Sequence, residues 1–101
     1  MLPEEPRLDL ETDVDGALVL RGEVDSYTAP DLAARLGGDP AVDVIDLAGV
    51  TFIDSSGLRV LVEVHQARID AGSRLALRAP SASVQRLLEI SGLSGHLDVT
   101  S

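Results

Sequence analysis

The spacing of the apolar residues changes several times along this chain, between the period of two typical of strands and the period near 3.6 typical of helices. From Arg7 onward polar and apolar residues alternate, and the alternation resumes over Ala17–Val24 after an Asp15–Gly16 turn signal. This pattern predicts an opening β-hairpin with one face in water. A chain of 101 residues has room for one such domain and one hydrophobic core.

Three later segments have the length and composition of strands. Val42–Leu47 is mostly apolar and rich in β-branched residues, and its adjacent Val44 and Ile45 predict burial on both faces, as expected of a central strand. Arg74–Ala79 predicts a further strand, and Leu97–Val99 predicts a short terminal one.

Helical spacing occurs in three places. The first helix is predicted to follow an N-cap at Thr28 and to end at Gly37–Gly38, and the third is predicted to begin at Pro80–Ser81 and to end at a left-handed Gly92. The second, Gly57–Gly72, has a wide apolar surface, which predicts cover on more than one side. Its narrow polar stripe consists of Arg59, Glu63, Gln66 and Asp70.

The predicted order is therefore β-β-α-β-α-β-α, followed by the short terminal strand. This order indicates an α/β domain in which helices pack on a mixed sheet. Residues 1–6 contain two prolines and two glutamates, which predicts a disordered lead-in. We expect residues 7–101 to form a single domain.

Composition argues against several classes of partner. The net charge of −9 repels nucleic-acid backbones and anionic lipid surfaces, and Tyr27 and Phe52 are too few aromatic residues for a base-stacking platform. The chain has no cysteine, no signal-peptide pattern and no apolar run near the ~20 residues of a membrane span. We therefore expect a cytoplasmic protein that binds neither nucleic acid nor membrane, and whose electrostatic complement is a basic protein surface.

One stretch, Thr51–Leu58, joins a buried strand region to the start of the second helix. A helix N-terminus presents unpaired N–H groups and the positive end of a dipole, so it suits a capping side chain or a phosphate. Asp54, Ser55 and Ser56 could each serve. Taken alone, this D-S-S-G tetrapeptide is most simply an N-cap at Asp54 or Ser55, followed by Gly57, which lets the first turn pack closely.

The sequence offers little for catalysis. A nucleophilic serine needs a base within hydrogen-bond reach, but His65 lies roughly 13 Å beyond Ser56 along the same helix, and only the fold could place His96 nearby. The nucleophile-elbow pattern G-x-S-x-G also fails, because Ile53 stands where the first glycine is needed. No residues have metal-ligand or phosphate-loop spacing. We therefore expect no catalytic residue, no metal and no cofactor.

Four segments together resemble the STAS domain, specifically that of bacterial anti-sigma factor antagonists. They are Leu20–Asp25 with Thr28–Ala29, Val44–Leu47 with Val50–Leu58, Ala79–Ser81 with Val84–Leu88, and Ser91–Leu93. The resemblance runs from about Leu8 to Val99 in the family's element order, and it implies the STAS fold. Family members usually continue into a further helix, which is not part of these 101 residues, and the loop after Leu36 is short for the family.

The resemblance also implies a mechanism. In that family the unphosphorylated protein binds an anti-sigma factor that is also a serine kinase, which frees a sigma factor. The kinase then phosphorylates the second serine of D-S-S-G and ends the interaction, and a serine phosphatase resets the switch. Carried over to this chain, the phosphoacceptor is Ser56. The implied partner-binding residues are Asp25, Ser26, Asp54, Ser55, Ser56 and Gly57.

A second interpretation needs no phosphorylation. A STAS domain could also act as a scaffold, or as a regulatory subunit of a transport ATPase or signalling complex. The serines that follow Asp54 favour the antagonist, because the scaffold does not require a phosphoacceptor at that position.

Overall fold

The structure, a computed structural model, describes residues 7–100, so the predicted lead-in at residues 1–6 lies outside the described residues. Its elements follow the predicted order, including the terminal strand. The strands are β1 (Leu8–Thr12), β2 (Leu18–Val24), β3 (Val44–Ile53), β4 (Ala76–Arg78) and β5 (Asp98–Thr100). The helices are α1 (Ala29–Gly37), α2 (Ser55–Asp70) and α3 (Ala82–Ser91).

The strands form one five-stranded sheet in the order β1-β2-β3-β4-β5 within residues 7–100. β1 and β2 are the predicted antiparallel hairpin, with Leu10 opposite Leu20, and the other neighbouring strands are parallel. Both the mixed sheet and the central position of β3 are confirmed.

β3 extends six residues beyond its predicted end at Leu47, because two register shifts against β2 hide its periodicity. Leu18 pairs with Ile45 and Val24 with Ile53, so six steps along β2 face eight along β3. Each extra residue moves the following side chains to the other face of the sheet. The buried residues of β3 are consequently Ile45, Leu47, Val50 and Ile53, which do not alternate.

Within residues 7–100 only one face of the sheet is covered, so the prediction that β3 is buried on both faces is wrong. Val44 is only half-buried, whereas Ile45 is fully buried against the helices. The uncovered face carries charged side chains, among them Arg78, which lies 3.0 Å from Asp13 and 2.9 Å from Asp46. The hydrogen bond from Arg78 holds the pKa of Asp13 below its ordinary value.

The buried surface of α2 is narrower than its sequence predicts. Its buried residues are Gly57, Leu58, Leu61, His65 and Arg68, which lie along one face of the helix. α2 contacts α1 and β3, so its valines at 60, 62 and 64 are half-buried, but Ala67 and Ile69 are exposed. The cover of α2 is therefore less complete than expected: its valines pack partly against the core, whereas Ala67 and Ile69 near its C-terminus are exposed.

Arg68 has a structural role that the sequence analysis missed. Its buried guanidinium donates to the main-chain carbonyls of Leu36, Asp39, Pro40 and Val42. Those carbonyls belong to the end of α1 and to the loop that leads into β3. One side chain of α2 thus fixes the C-terminus of α1 and the whole loop after it.

The helix ends differ from prediction at two of the three N-termini. Thr28 is not a side-chain cap of α1, because its hydroxyl instead donates to the Glu23 carbonyl at 2.8 Å. α2 begins at Ser55, two residues before the predicted Gly57. The end of α3 is as predicted: Gly92 is left-handed, with φ of +76°, and the Leu93 N–H donates to the Leu88 carbonyl.

Candidate functional site

Asp54 organises the turn from β3 into α2. Its carboxylate accepts hydrogen bonds from the N–H groups of Ser56 at 2.9 Å and Gly57 at 3.2 Å, and its carbonyl accepts one from Leu58 at 3.0 Å. Of the two predicted N-cap candidates, Asp54 is the cap and Ser55 is the first residue of the helix. Since the N–H groups of Ser56 and Gly57 already bond to this carboxylate, the donor capacity left for another anion at the start of α2 is reduced.

Gly57 lies where α2 passes closest to the end of β2. A Cβ placed on it would lie 2.5 Å from the Val24 Cγ1 and 2.9 Å from the Val24 carbonyl oxygen. The same carbonyl accepts the Asp54 N–H at 3.1 Å. The close-packing interpretation of Gly57 is therefore confirmed, and this contact fixes the two serines before it relative to β2.

Asp25 organises the loop between β2 and α1. Its carboxylate accepts from the N–H groups of Tyr27 at 2.9 Å and Thr28 at 3.1 Å, and from the Arg7 guanidinium at 3.0 Å. Burial acts to raise the pKa of Asp25, but these hydrogen bonds outweigh it and hold the pKa below its ordinary value. Asp25 is therefore a buried carboxylate that shapes the loop from within.

The two loops meet at an open groove of about 600 Å³. Ser26 from the first loop lines it together with Ser55 and Ser56 from the start of α2. Ser26 and Ser55 are exposed, whereas Ser56 is half-buried. The apolar part of the lining comes from α1 and α2 and consists of Ala29, Pro30, Ala33 and Val60.

The structure thus divides the six residues that the resemblance points to into two sets. Ser26, Ser55 and Ser56 line the groove. Asp25, Asp54 and Gly57 lie behind it, and their hydrogen bonds or close packing hold its two loops. The second set is placed to position the serines.

Arg59 is a groove residue that the sequence analysis assigned only to a polar stripe. It lies three residues after Ser56, which puts the two side chains on the same side of α2. Its Nε is 3.2 Å from the Glu63 Oε1 in an exposed pair. The spacing from Ser56 was the available signal, because residues three apart on a helix are neighbours.

The two histidines lie away from the serine groove. His65 and His96 line a separate cleft of about 300 Å³, together with Ile69 and Leu93. Neither lines the groove that contains Ser55 and Ser56. A histidine base for either serine is therefore missing from the groove in the described part of the chain, and residues 7–100 also hold no cluster of three or more candidate metal ligands.

A protein-family model described as "Mlab, STAS domain" matches residues 8–99. The chain belongs to the STAS domain family. This STAS domain is 35% identical to the anti-sigma-B factor antagonist of Listeria monocytogenes over 86 residues, which cover 81% of this chain and 75% of the relative. It is 33% identical to the anti-sigma-B factor antagonist of Bacillus subtilis over 84 residues, covering 80% of this chain and 77% of that protein.

Solved structures agree with the fold of this STAS domain. The crystal structure of an anti-sigma factor antagonist from Mycobacterium paratuberculosis is 28% identical, with a TM-score of 0.72. The match covers 92% of this chain and 83% of the Mycobacterium chain. The structure of the anti-sigma factor antagonist SpoIIAA in its unphosphorylated form is 24% identical, with a TM-score of 0.69. The match covers 93% of this chain and 88% of the SpoIIAA chain. The predicted STAS-like α/β fold is confirmed.

In residues 7–100, each of the helices falls short of the length and hydropathy that a membrane crossing requires.

Proposed function

We propose that this STAS domain is an anti-sigma factor antagonist controlled by phosphorylation of Ser56. In its unphosphorylated form it binds an anti-sigma factor that is also a serine kinase, and a sigma factor is released. Phosphorylation by the kinase ends the interaction, and a serine phosphatase restores it. The observation that carries the proposal is that Ser56 lines one open groove together with Ser26 from the neighbouring loop.

The names of the similar proteins support this function. The relatives from Listeria monocytogenes and Bacillus subtilis are anti-sigma-B factor antagonists, and they are 35% and 33% identical over most of this chain. Antagonists of this kind are regulators that act by binding, so we propose a binding function without catalysis for this domain. The choice of Ser56 over Ser55 rests on the place of the acceptor in the family's D-S-S-G motif, because both serines line the groove.

The surroundings of Ser56 explain how a phosphate would act on binding. A phosphoserine carries about −1.5 to −2 charges at neutral pH, and here it would lie beside Asp54 in a chain whose net charge is −9. Asp54, Gly57 and the buried Asp25 hold the loops through contacts that do not involve the Ser56 hydroxyl. We therefore expect the fold to survive phosphorylation while the groove loses affinity, tenfold for each ~1.4 kcal/mol of binding free energy.

Phosphopeptide mapping tests this proposal. The purified protein is incubated with Mg-ATP and a lysate of its source organism, and its intact mass is measured alongside Ser56→Ala and Ser55→Ala. We expect a single phosphate in the wild type and in Ser55→Ala, and none in Ser56→Ala. A phosphate that persists in Ser56→Ala would refute the choice of Ser56. If a lysate with demonstrated kinase activity phosphorylates neither serine, the scaffold or transport-regulator interpretation replaces the antagonist.

A further inference from the structure

Arg59 supplies the positive charge of the groove. Within the described residues it is the one charged side chain that lines the groove, and the other lining residues are serines or apolar. It belongs to a domain with a net charge of −9. Arg59 is therefore the positively charged partner that this lining offers to a negative group added in the groove.

Arg59 is free to change its partner. Its present ion pair with Glu63 joins side chains that are 80% and 67% exposed, and such pairs on a helix surface are weak. Side chains on a helix lean toward its N-terminus, which is the direction of Ser56 one turn earlier. The guanidinium can thus reach residue 56 by side-chain rotation alone.

The main chain around Ser56 leaves few alternatives for a phosphate. The N–H groups of Ser56 and Gly57 donate to the Asp54 carboxylate, and that of Leu58 donates to the Asp54 carbonyl. The carboxylate of Asp54 itself repels a second anion at the same helix end. Arg59 is therefore the one cationic donor for a phosphate in the described lining of this groove.

We propose that Arg59 pairs with the phosphate on Ser56 and gives up Glu63 when it does so. A guanidinium binds phosphate with two parallel hydrogen bonds, and a phosphate has more charge than the carboxylate that it replaces. Phosphorylation then changes the groove twice, because it adds an anion and withdraws the Arg59 cation from a bound partner. This inference rests on the proposed function, since it concerns the phosphorylated state.

Titration of the phosphate by ³¹P NMR tests the pairing directly. Phosphoserine is installed at position 56 during translation, so the experiment does not depend on the natural kinase. The second ionisation of a phosphoserine generally has a pKa of about 6. A neighbouring guanidinium favours the dianion, so we expect the titration midpoint in Arg59→Gln to lie about half a pH unit above that of the wild type.

Arg74→Gln is the matched control. Arg74 is 82% exposed and, like Arg59, lies near one carboxylate, that of Asp98 at 3.7 Å, but it is not among the residues that line the serine groove. We expect this variant to titrate like the wild type and Glu63→Gln to titrate no higher than the wild type. Equal midpoints in Arg59→Gln and Arg74→Gln would overturn the pairing, because they would show only an effect of net charge.

The same samples separate this inference from the proposed function. If the phosphoprotein binds its partner as tightly as the unmodified protein, the proposed switch fails whatever the titration shows. If phosphorylation weakens binding but Arg59→Gln leaves the midpoint unchanged, the switch stands and the role of Arg59 is refuted.

Discussion

Replacing Arg68 with alanine removes the group that fixes the loop between α1 and β3. The guanidinium donates to the carbonyls of Leu36, Asp39, Pro40 and Val42, and no carboxylate within residues 7–100 forms an ion pair with it. A hydrogen bond to a charged group contributes about 1.5–3 kcal/mol. These bonds share one donor group, and the freed carbonyls can bind water, so their contributions do not add. We expect Arg68→Ala to lower the free energy of unfolding by about 3 kcal/mol.

Urea unfolding followed by circular dichroism measures this loss. For a domain of this size, ~3 kcal/mol corresponds to a fall in Tm of roughly 12–24 °C. Arg59→Ala is the control on the same helix: its side chain is 80% exposed, and we expect a change below about 0.5 kcal/mol. Arg68→Lys keeps the charge but lacks the planar fork, so its loss should be intermediate. A loss below about 1 kcal/mol in Arg68→Ala would refute this account of the loop.

Three further substitutions test the packing and charge of the domain by urea unfolding. Gly57→Ala places a Cβ 2.5 Å from Val24, so it should destabilise by about 1–3 kcal/mol although alanine favours helices; a gain in stability would show that the contact is not tight. Leu61→Ala truncates a fully buried side chain and should cost ~2–5 kcal/mol, and a cost near zero would contradict its place in the core. The pKa of Asp25 is lower in the folded protein than in the unfolded chain. The ionised carboxylate therefore stabilises the fold fully above the unfolded pKa of about 3.9, and this stabilisation is lost as pH falls through the folded pKa. Asp25→Asn should therefore be less stable than the wild type at pH 7 and should approach it in acid, and a constant difference across this range would contradict the prediction.

The order of the elements could be read from the sequence, because most of them bury one face and show it in their periodicity. β3 shows where periodicity fails. One extra residue opposite β2 moves Val50 out of alternation with Ile45, and a second brings Ile53 back into it, so only the first part of the strand has a recognisable pattern. The burial of α2 was overestimated for a different reason: an apolar helix surface indicates what can be covered, whereas the neighbouring elements decide what is covered.

In the candidate site, too, some features could be predicted from the sequence and others could not. Local chemistry is readable, so the tetrapeptide alone indicated an N-cap at Asp54 or Ser55 and a close-packing residue at Gly57. Contacts between distant segments are not: Arg68 reaches carbonyls 26 to 32 residues away, and no periodicity signals such a bond. Thr28 had the sequence of a helix cap, but its hydroxyl bonds to the Glu23 carbonyl instead, since the end of β2 offers a competing acceptor.

The central claim is that phosphate on Ser56 switches binding off while the fold is preserved. The most direct test is isothermal titration of the anti-sigma factor kinase from the source organism against three proteins: the wild type, Ser56→Ala and the protein with phosphoserine at position 56. We expect the first two to bind equally, and the phosphoprotein to bind at least about tenfold more weakly, or ~1.4 kcal/mol, with an unchanged circular dichroism spectrum. Equal affinity of the phosphorylated and unphosphorylated proteins for the kinase would contradict the claim.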